Sequence, residues 1–411
     1  MISVEEALGR ILAAFAPLPP EQVGLDRALG RVLAADVIAR VTQPPVAVSA
    51  MDGYAMRGAD VTPKALADGP VTLRLIGEAP AGGAHDGTVG PGEAVRIFTG
   101  GPVPAGADTV IMQENTERDG DRVTILQAAR PGHFVRPAGL DFRAGEVGLV
   151  AGRLLGARDI GLAAAMNHPW LLVRRRPRVA ILSTGDEIVM PGEPLGANQI
   201  VGSNGLALAA LVRACGGAPN MLGIAPDSED ALRHMAAGAA GADLLITSGG
   251  ASVGDHDLVQ KALGADRVGL EIDFWRVAMR PGKPLMFGRF GDTPLIGVPG
   301  NPVSSLVCGL LYVRPAIERM LGLEHPGGVE EIAVLGADLE ANDHRQDYLR
   351  ASLSQGADGA RVATPFTAQD SAMLARLTAA DCLIVRPPEA PAARTGEPVA
   401  ILPLAGATPN I

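Results

Sequence analysis

Aromatic residues are scarce: eight Phe, three Tyr and two Trp, 3% of 411 residues. The core must therefore be built from Ala, Val, Leu and Ile. Only three cysteines occur, at positions 215, 308 and 382, with no CxxC pair. This argues against a zinc ribbon, an iron–sulfur cluster and a disulfide framework. Cys308 lies in the apolar "VSSLVCGLLYV" and is expected in a core helix. No uncharged apolar run reaches 18 residues, so no membrane span is expected. The opening "MISVEEALGR" has acids where a signal peptide needs basic residues, so the expected location is the cytoplasm. A basic excess is missing too. Formal charge is −10, against nucleic-acid binding, and the one basic run, "RRRPR" at 174–178, reads as a solvated linker. Lysine is scarce too: three of the 35 basic residues, at 64, 261 and 283.

Glycine and proline are plentiful, 52 and 33 residues, without a period. They imply many turns rather than disorder. "SVEEALGRILAAF" reads as a helix: Ser3 and Glu6 form a capping box, and Val4, Ala7, Leu8, Ile11, Leu12 and Phe15 share one face. "DRALGRVLA", 26–34, continues the helical pattern. "VTLRLIGEA", "EAVRIFTGG", "DTVIMQE" and "RVTILQ" read as strands of a small β domain, and helical character returns at 156–166. The expected layout is a split helical domain at 1–43 and 142–176, interrupted by a β domain at 44–141. Residues 177–326 alternate strands and helices, which predicts an α/β domain with a parallel sheet. It includes a helix from Asn204 capped by Ser203 or Asn204, and a long helix begun by Pro302. Residues 327–411 read as a small, barrel-like β domain.

In such sheets ligands bind beyond the carboxyl ends of the strands. Three loops there are rich in small residues: "STGDE" (183–187), "SGGASVGDHD" (248–257) and "GVPGNPVSS" (297–305). Ser183, Thr184 and Gly185, then Ser248, Gly249, Gly250, Ser252 and Gly254, then Pro299, Gly300, Asn301 and Pro302 are candidates to cradle an anion with backbone N–H groups. Asp186, Glu187, Asp227, Asp255 and Asp257 stand beside them. Carboxylates next to an anion call for a cation between, and Mg²⁺ takes one or two carboxylates plus ligand phosphates. The second loop stays open to three readings: metal binding, phosphate binding or a solvated turn. Asp186 and Asp255 could instead cap helices, and His256 reads as a surface residue. Lys283, between Gly282 and Pro284, is a compact charge suited to an oxyanion held end-on.

"SAMDGYAM", "RIFTGGPVPAGADTVIMQE", "LSTGDEIV", "SNGLAL", "TSGGASVGDHDLV", "MRPGKPLMFG" and "GVPGNPVSSLV" occur in the order and spacing of the MoeA family, the molybdopterin molybdenumtransferases, which the chain resembles over nearly its whole length. The resemblance implies four domains, one of them similar to MogA and MoaB, and a homodimer with shared active sites. It implies Mg²⁺-assisted insertion of molybdate into adenylated molybdopterin with release of AMP, and transient contact with a MogA- or MoaB-like protein. It assigns Asp52, Thr99, Glu187, Asp257 and Lys283 to catalysis, Glu187 and Asp257 to the metal, and Asp227, Arg280, Pro299 and Pro302, with Arg136, Asp141, Arg350 and Ser371, to substrate. Rival readings are a MogA-like adenylyltransferase, whose "GGTG" loop is "GGAS" here, and a scaffold like the gephyrin E domain.

Overall fold

The structure is a computed structural model and describes residues 1–80, 82–249, 270–324, 327, 330–357 and 359–404. It divides into two units, Met1–Ala35 with Ala151–Gly156 and Leu172–Ile411, and Asp36–Val150 with Ala157–Leu171.

In the first unit, helix α1 (Val4–Ala13) starts where the Ser3 hydroxyl accepts the Glu6 N–H at 3.0 Å. Its Ala7 and Ile11, with Phe15 just beyond, pack into the main core. Residues 26–34 differ from expectation. A 3-10 turn at Leu25–Arg27 ends there, and Gly30 turns left-handed. The backbone then pairs with distant segments: Gly30 N–H to Leu155 O and Leu33 N–H to Arg153 O, both at 2.9 Å. Val32 and Leu33 are buried through these bridges rather than on a helix face. The "RRRPR" run is not a solvated linker either. Arg175 holds Asp243 with two bonds of 2.9 and 2.8 Å, and Arg174 donates to Leu18 O.

The central sheet contains β1 (Arg178–Thr184), β2 (Ala218–Ala225), β3 (Leu244–Ser248), β4 (Leu270–Trp275), β5 (Met286–Phe290) and β6 (Thr293–Val298), in the order β2-β1-β3-β6-β5-β4. The first four in that order are parallel, but β5 and β4 are antiparallel to their neighbours. The expected parallel sheet is present in these four strands, and the sheet as a whole is mixed. The reason is local: Phe290 pairs with Thr293, so only Gly291 and Asp292 separate β5 from β6, a loop that can close only a hairpin. Helices α2 (Asn204–Ala214) and α3 (Glu229–Ala236) link β1 to β2 and β2 to β3. Since β2 and β3 lie on opposite sides of β1, a switch-point crevice opens there. α4 (Pro302–Cys308) runs through a π turn, Gly309–Val313, into α5 (Arg314–Met320), forming the long helix read from the sequence. Val303, Val307, Cys308, Tyr312 and Ile317 join Val179, Ile246 and Ile296 in the main core.

Strands Glu331–Leu335, Gln346–Gln355, Arg361–Pro365, Cys382–Arg386 and Pro398–Pro403 close into a five-stranded barrel, Gln346–Gln355 pairing with both Arg361–Pro365 and Cys382–Arg386. Met279–Arg280 adds to it in parallel. Tyr348 reaches the main core, which ties barrel to sheet.

The second unit is built on a six-stranded sheet, in the order Thr109–Met112, Gly53–Met56, Glu93–Ile97, Val71–Ala79, Arg122–Ile125, Thr116–Asp119. "GYAM", at 53–56, read from the sequence as part of a turn, is a buried inner strand. A Cβ on Gly53 would stand 1.9 Å from Ile111 O. Gly53→Ala must push adjacent strands apart, and should destabilise the chain by about 2–4 kcal/mol. Urea denaturation of the variant beside the parent checks this, and an unchanged midpoint would refute it.

Candidate active site at the carboxyl edge of the sheet

Register lines up the strand ends. Thr184 pairs with Ala225, Ser183 with Ser248, and Ser248 with Val298. Trp275 pairs with Met286, and Met286 with Gly297, so residues 276–285 stand on this same edge. Asp227 follows β2, Asp186 and Glu187 follow β1, Gly249 follows β3, Pro299–Pro302 follow β6, and Lys283 precedes β5. One edge therefore runs from carboxylates, through small-residue loops, to a cation. Gly250, Ser252, Gly254 and Asp257, with Asp255 and His256, lie outside the described residues.

At the acidic end the Asp227 N–H donates to Asp186 Oδ1 at 3.0 Å. Partial burial raises the Asp227 carboxyl above its usual range, and the charges of Asp186 and Glu187 add to this. Among the described residues no three His, Cys, Asp or Glu side chains converge closely enough to hold a metal ion.

In the middle, Asn204 was read as a helix cap, yet its side chain reaches across the crevice. Its Nδ2 donates to Ser248 Oγ at 3.0 Å and to Gly300 O at 2.7 Å, fastening the loops after β3 and β6 together. Ser203 holds the cap position without a side-chain cap bond. The "SNG" motif was visible in the sequence, but nothing local in it shows a contact 96 residues away.

At the cationic end Lys283 is exposed on a turn seated in the core. Gly282 has φ 115°, and a Cβ there would lie 2.7 Å from Cys308 Sγ, so only glycine lets this turn settle onto α4. Arg280 turns the other way, donating from Nε to Asp347 Oδ2 at 3.1 Å, with Asp343 at 3.8 Å. Its charge is committed to barrel carboxylates.

The barrel contributes a second cation. Arg350 is fully buried, and its Nε, Nη1 and Nη2 have no hydrogen-bond partner among the described residues. Burial lowers its pKa, which Asp370 partly opposes. Gln369 brackets its backbone, accepting the Arg350 N–H at 3.0 Å and donating to Arg350 O at 2.9 Å. Two residues on, Ser371 Oγ accepts from Asn301 Nδ2 at 3.0 Å, and the Val303 N–H donates to Ser371 O at 3.1 Å. The loop carrying Ser371 thus joins Arg350 to the turn after β6. Gln369 went unnoticed in the sequence because its role is a bond to the backbone of a residue 19 positions away.

In the second unit Asp52 Oδ1 accepts the Thr99 N–H at 2.7 Å and the Thr99 hydroxyl at 2.8 Å. These two bonds, then the Arg96 charge, hold its carboxyl below the usual range. The stability this lends is present above the unfolded-state value and is lost as pH falls through the depressed one. Arg136 and Asp141 line a cavity of about 720 Å³ with Gly100, Pro44, Pro45 and Leu140.

The sheet belongs to the class of α/β folds that bind ligands at a switch-point crevice, here with a closed barrel following it in the chain. The family model described as MoeA N-terminal region (domain I and II) matches residues 2–167. One described as probable molybdopterin binding domain matches 180–319, and one described as MoeA C-terminal region (domain IV) matches 333–404. A Nostoc protein named molybdopterin molybdenumtransferase is 43% identical over 81% of this chain and 77% of its own. One of the same name from Haemophilus influenzae is 32% identical over 98% of both chains. Two structures of the molybdopterin biosynthesis MoeA protein from Pyrococcus horikoshii superpose with TM-scores of 0.84 and 0.83, at 31% and 28% identity, over 99% and 98% of this chain and 100% of theirs. The chain belongs to the MoeA family, the molybdopterin molybdenumtransferases.

A raised carboxyl pKa means that the charged form of Asp227 opposes folding. Its stabilising share is present below the unfolded-state value and lost as pH rises through the raised folded-state value. Asp227→Asn should therefore melt higher than the parent at pH 7, with the gap closing as pH drops below the carboxylate range. Thermal melts across pH test this, and a variant that melts lower at pH 7 would contradict it.

Proposed function

We propose that the chain inserts molybdenum from molybdate into adenylated molybdopterin and releases AMP, assisted by Mg²⁺. The observation that carries this reading is Arg350. A buried guanidinium without an acceptor is unfavourable in the free protein and is offset when an anion arrives. Lys283 on its turn and the Ser371 hydroxyl supply further donors from the same edge, and a tetrahedral oxyanion such as molybdate suits such a set. The small-residue loops after β1, β3 and β6 suit the phosphate and pterin of the other substrate, with Asn204 tying the end of β3 to Gly300.

Glu187 and Asp257 are the residues that would hold Mg²⁺. Hard carboxylate oxygens on two loops fit an ion that takes one or two carboxylates and completes its shell from water and phosphate. Bound there, the ion would supply neutralisation of charge on the phosphate being cleaved. Lys283 and Arg350 hold the incoming anion so that its charge is balanced as the adenylate departs. Asn204 keeps the crevice loops at one spacing.

The protein acts as a homodimer in this proposal. Ile38 and Val147 face each other across a ladder in the second unit, yet are 48% and 51% exposed, and Val150 and Trp170 are also exposed. Such a band suits burial against a second copy. Each subunit's Asp52–Thr99 pair would serve the partner's substrate. Mixing Asp52→Ala chains with Glu187→Ala chains, each inactive alone, should then restore about a quarter of parental turnover, because half the dimers are mixed and carry one intact site. No recovery would refute the shared site.

Arg350→Met separates function from fold. It should raise stability by about 1–3 kcal/mol by removing an unpaired buried charge, while molybdate-dependent AMP release falls at least ~100-fold. Denaturant melts and an AMP assay read the two effects. Undiminished AMP release would remove Arg350 from the site and leave the transferase reading without its main support.

A further inference from the structure

A cavity of about 370 Å³ opens at one mouth of the barrel. Strand direction puts that mouth together. Glu331–Leu335, Arg361–Pro365 and Cys382–Arg386 end there, and Gln346–Gln355, antiparallel to the last two, begins there. Barrel mouths are a recurrent place for small-molecule sites. The lip is held in shape by Asn342, whose Nδ2 donates to Arg345 O at 2.7 Å, Pro387 O at 2.9 Å and Arg386 O at 3.2 Å. Gln369 stiffens the facing loop by donating to Phe366 O at 2.9 Å. The walls are apolar: Leu339 and Leu349 pack against the barrel core, and Pro365 and Phe366 stand beside them half-buried.

Among these walls stands a buried carboxylate. Asp347 is 3% exposed. Its Oδ2 accepts from Arg280 Nε at 3.1 Å and from Arg280 Nη2. Its Oδ1 has no partner among the described residues, and no other side-chain atom lining the cavity is buried in that state. A buried carboxylate oxygen without a donor is costly, so an occupant has to bring the donor. An anion does not fit. Oδ1 repels it, Arg280 is committed to Asp347 and Asp343, and Arg386 Nη2 is committed to the carbonyls of Glu340 and Pro391. Glu340, exposed on the rim, adds a further negative charge. A charged N–H donor bonds a carboxylate more strongly than a neutral one. One open oxygen matches the point charge of an ammonium better than the two-pronged fork of a guanidinium.

We propose that the barrel mouth is a binding site for a small organic cation, a primary ammonium on a compact apolar body, with Asp347 Oδ1 as its acceptor. Its occupant is opposite in charge to both substrates of the transferase reading, so the two stand or fall apart. Two probes of one shape and opposite charge test it. At neutral pH para-fluorobenzylamine is an ammonium ion and para-fluorobenzoate an anion, and each is titrated with the full-length protein and followed by fluorine NMR. The amine should bind, and the benzoate should bind at least about tenfold more weakly. Asp347→Asn replaces the charged acceptor by a neutral one and should lose at least about tenfold in affinity for the amine. Asp347 also holds Arg280, so a second variant leaves that pair alone. Ala341 is exposed on the rim, and Ala341→Phe sets a phenyl ring in the mouth. It should melt like the parent and lose the amine by at least about tenfold, because the ring occupies the place of the apolar body. If Asp347→Asn does not fold, Ala341→Phe carries the test. A parent chain that does not bind the amine overturns the site. So does equal affinity for amine and benzoate, or parent-like affinity for the amine in either folded variant.

Discussion

A positive charge shut away from water, with no hydrogen-bond partner for its guanidinium among the described residues, is the constraint around which the first unit is arranged. Arg350 has that position, and the structure around it serves to keep it there. Gln369 grips its backbone from both sides, Tyr348 anchors its strand in the main core, and Ser371 fastens the following loop to Asn301. Met279–Arg280, which leads into the Lys283 turn, is hydrogen-bonded to the start of the Arg350 strand. Barrel and sheet are thus joined where an anion would be received, which gives the barrel a reason to exist that packing alone does not.

A second constraint is electrostatic order. An acidic chain that must hold anions has to keep its carboxylates and cations apart, yet within reach of one ligand. Strand order does this. Acids follow β1 and β2, donor-rich loops follow β3 and β6, and cations flank β4 and β5. The antiparallel reversal of β5 brings the Lys283 turn to this edge, since a further parallel strand would begin at the opposite one.

Much of this was legible in the sequence where a rule acts over a few residues. The Ser3 cap, the helix begun by Pro302 and the alternation of strands and helices after residue 177 follow from local pattern and appear as read. The misses share one cause. Residues 26–34 have a helical period, but pairing with residues 153–155 and 173 overrides it. "GYAM" looks like a turn because it follows Met-Asp, and becomes an inner strand only once two distant strands flank it. The same holds for the site. Lys283 and Glu187 stand out by residue type and loop context, whereas Asn204 and Gln369 matter through contacts that no spacing rule encodes. Asp52 belongs to both groups: its motif drew attention, and its partner Thr99 lies 47 residues away.

The seat of the Lys283 turn has one more consequence. Cys308 Sγ lies 3.7 Å from Gly282 O, the thiol is wholly buried, and burial drives its pKa up. While the turn is closed this sulfur is shielded and unionised, and so inert to alkylating reagents. Its reaction rate in the native protein therefore reads how often the loop lifts from α4. The chain carries an intrinsic clock for the breathing of its cationic end, and any anion that locks the turn down should slow that clock.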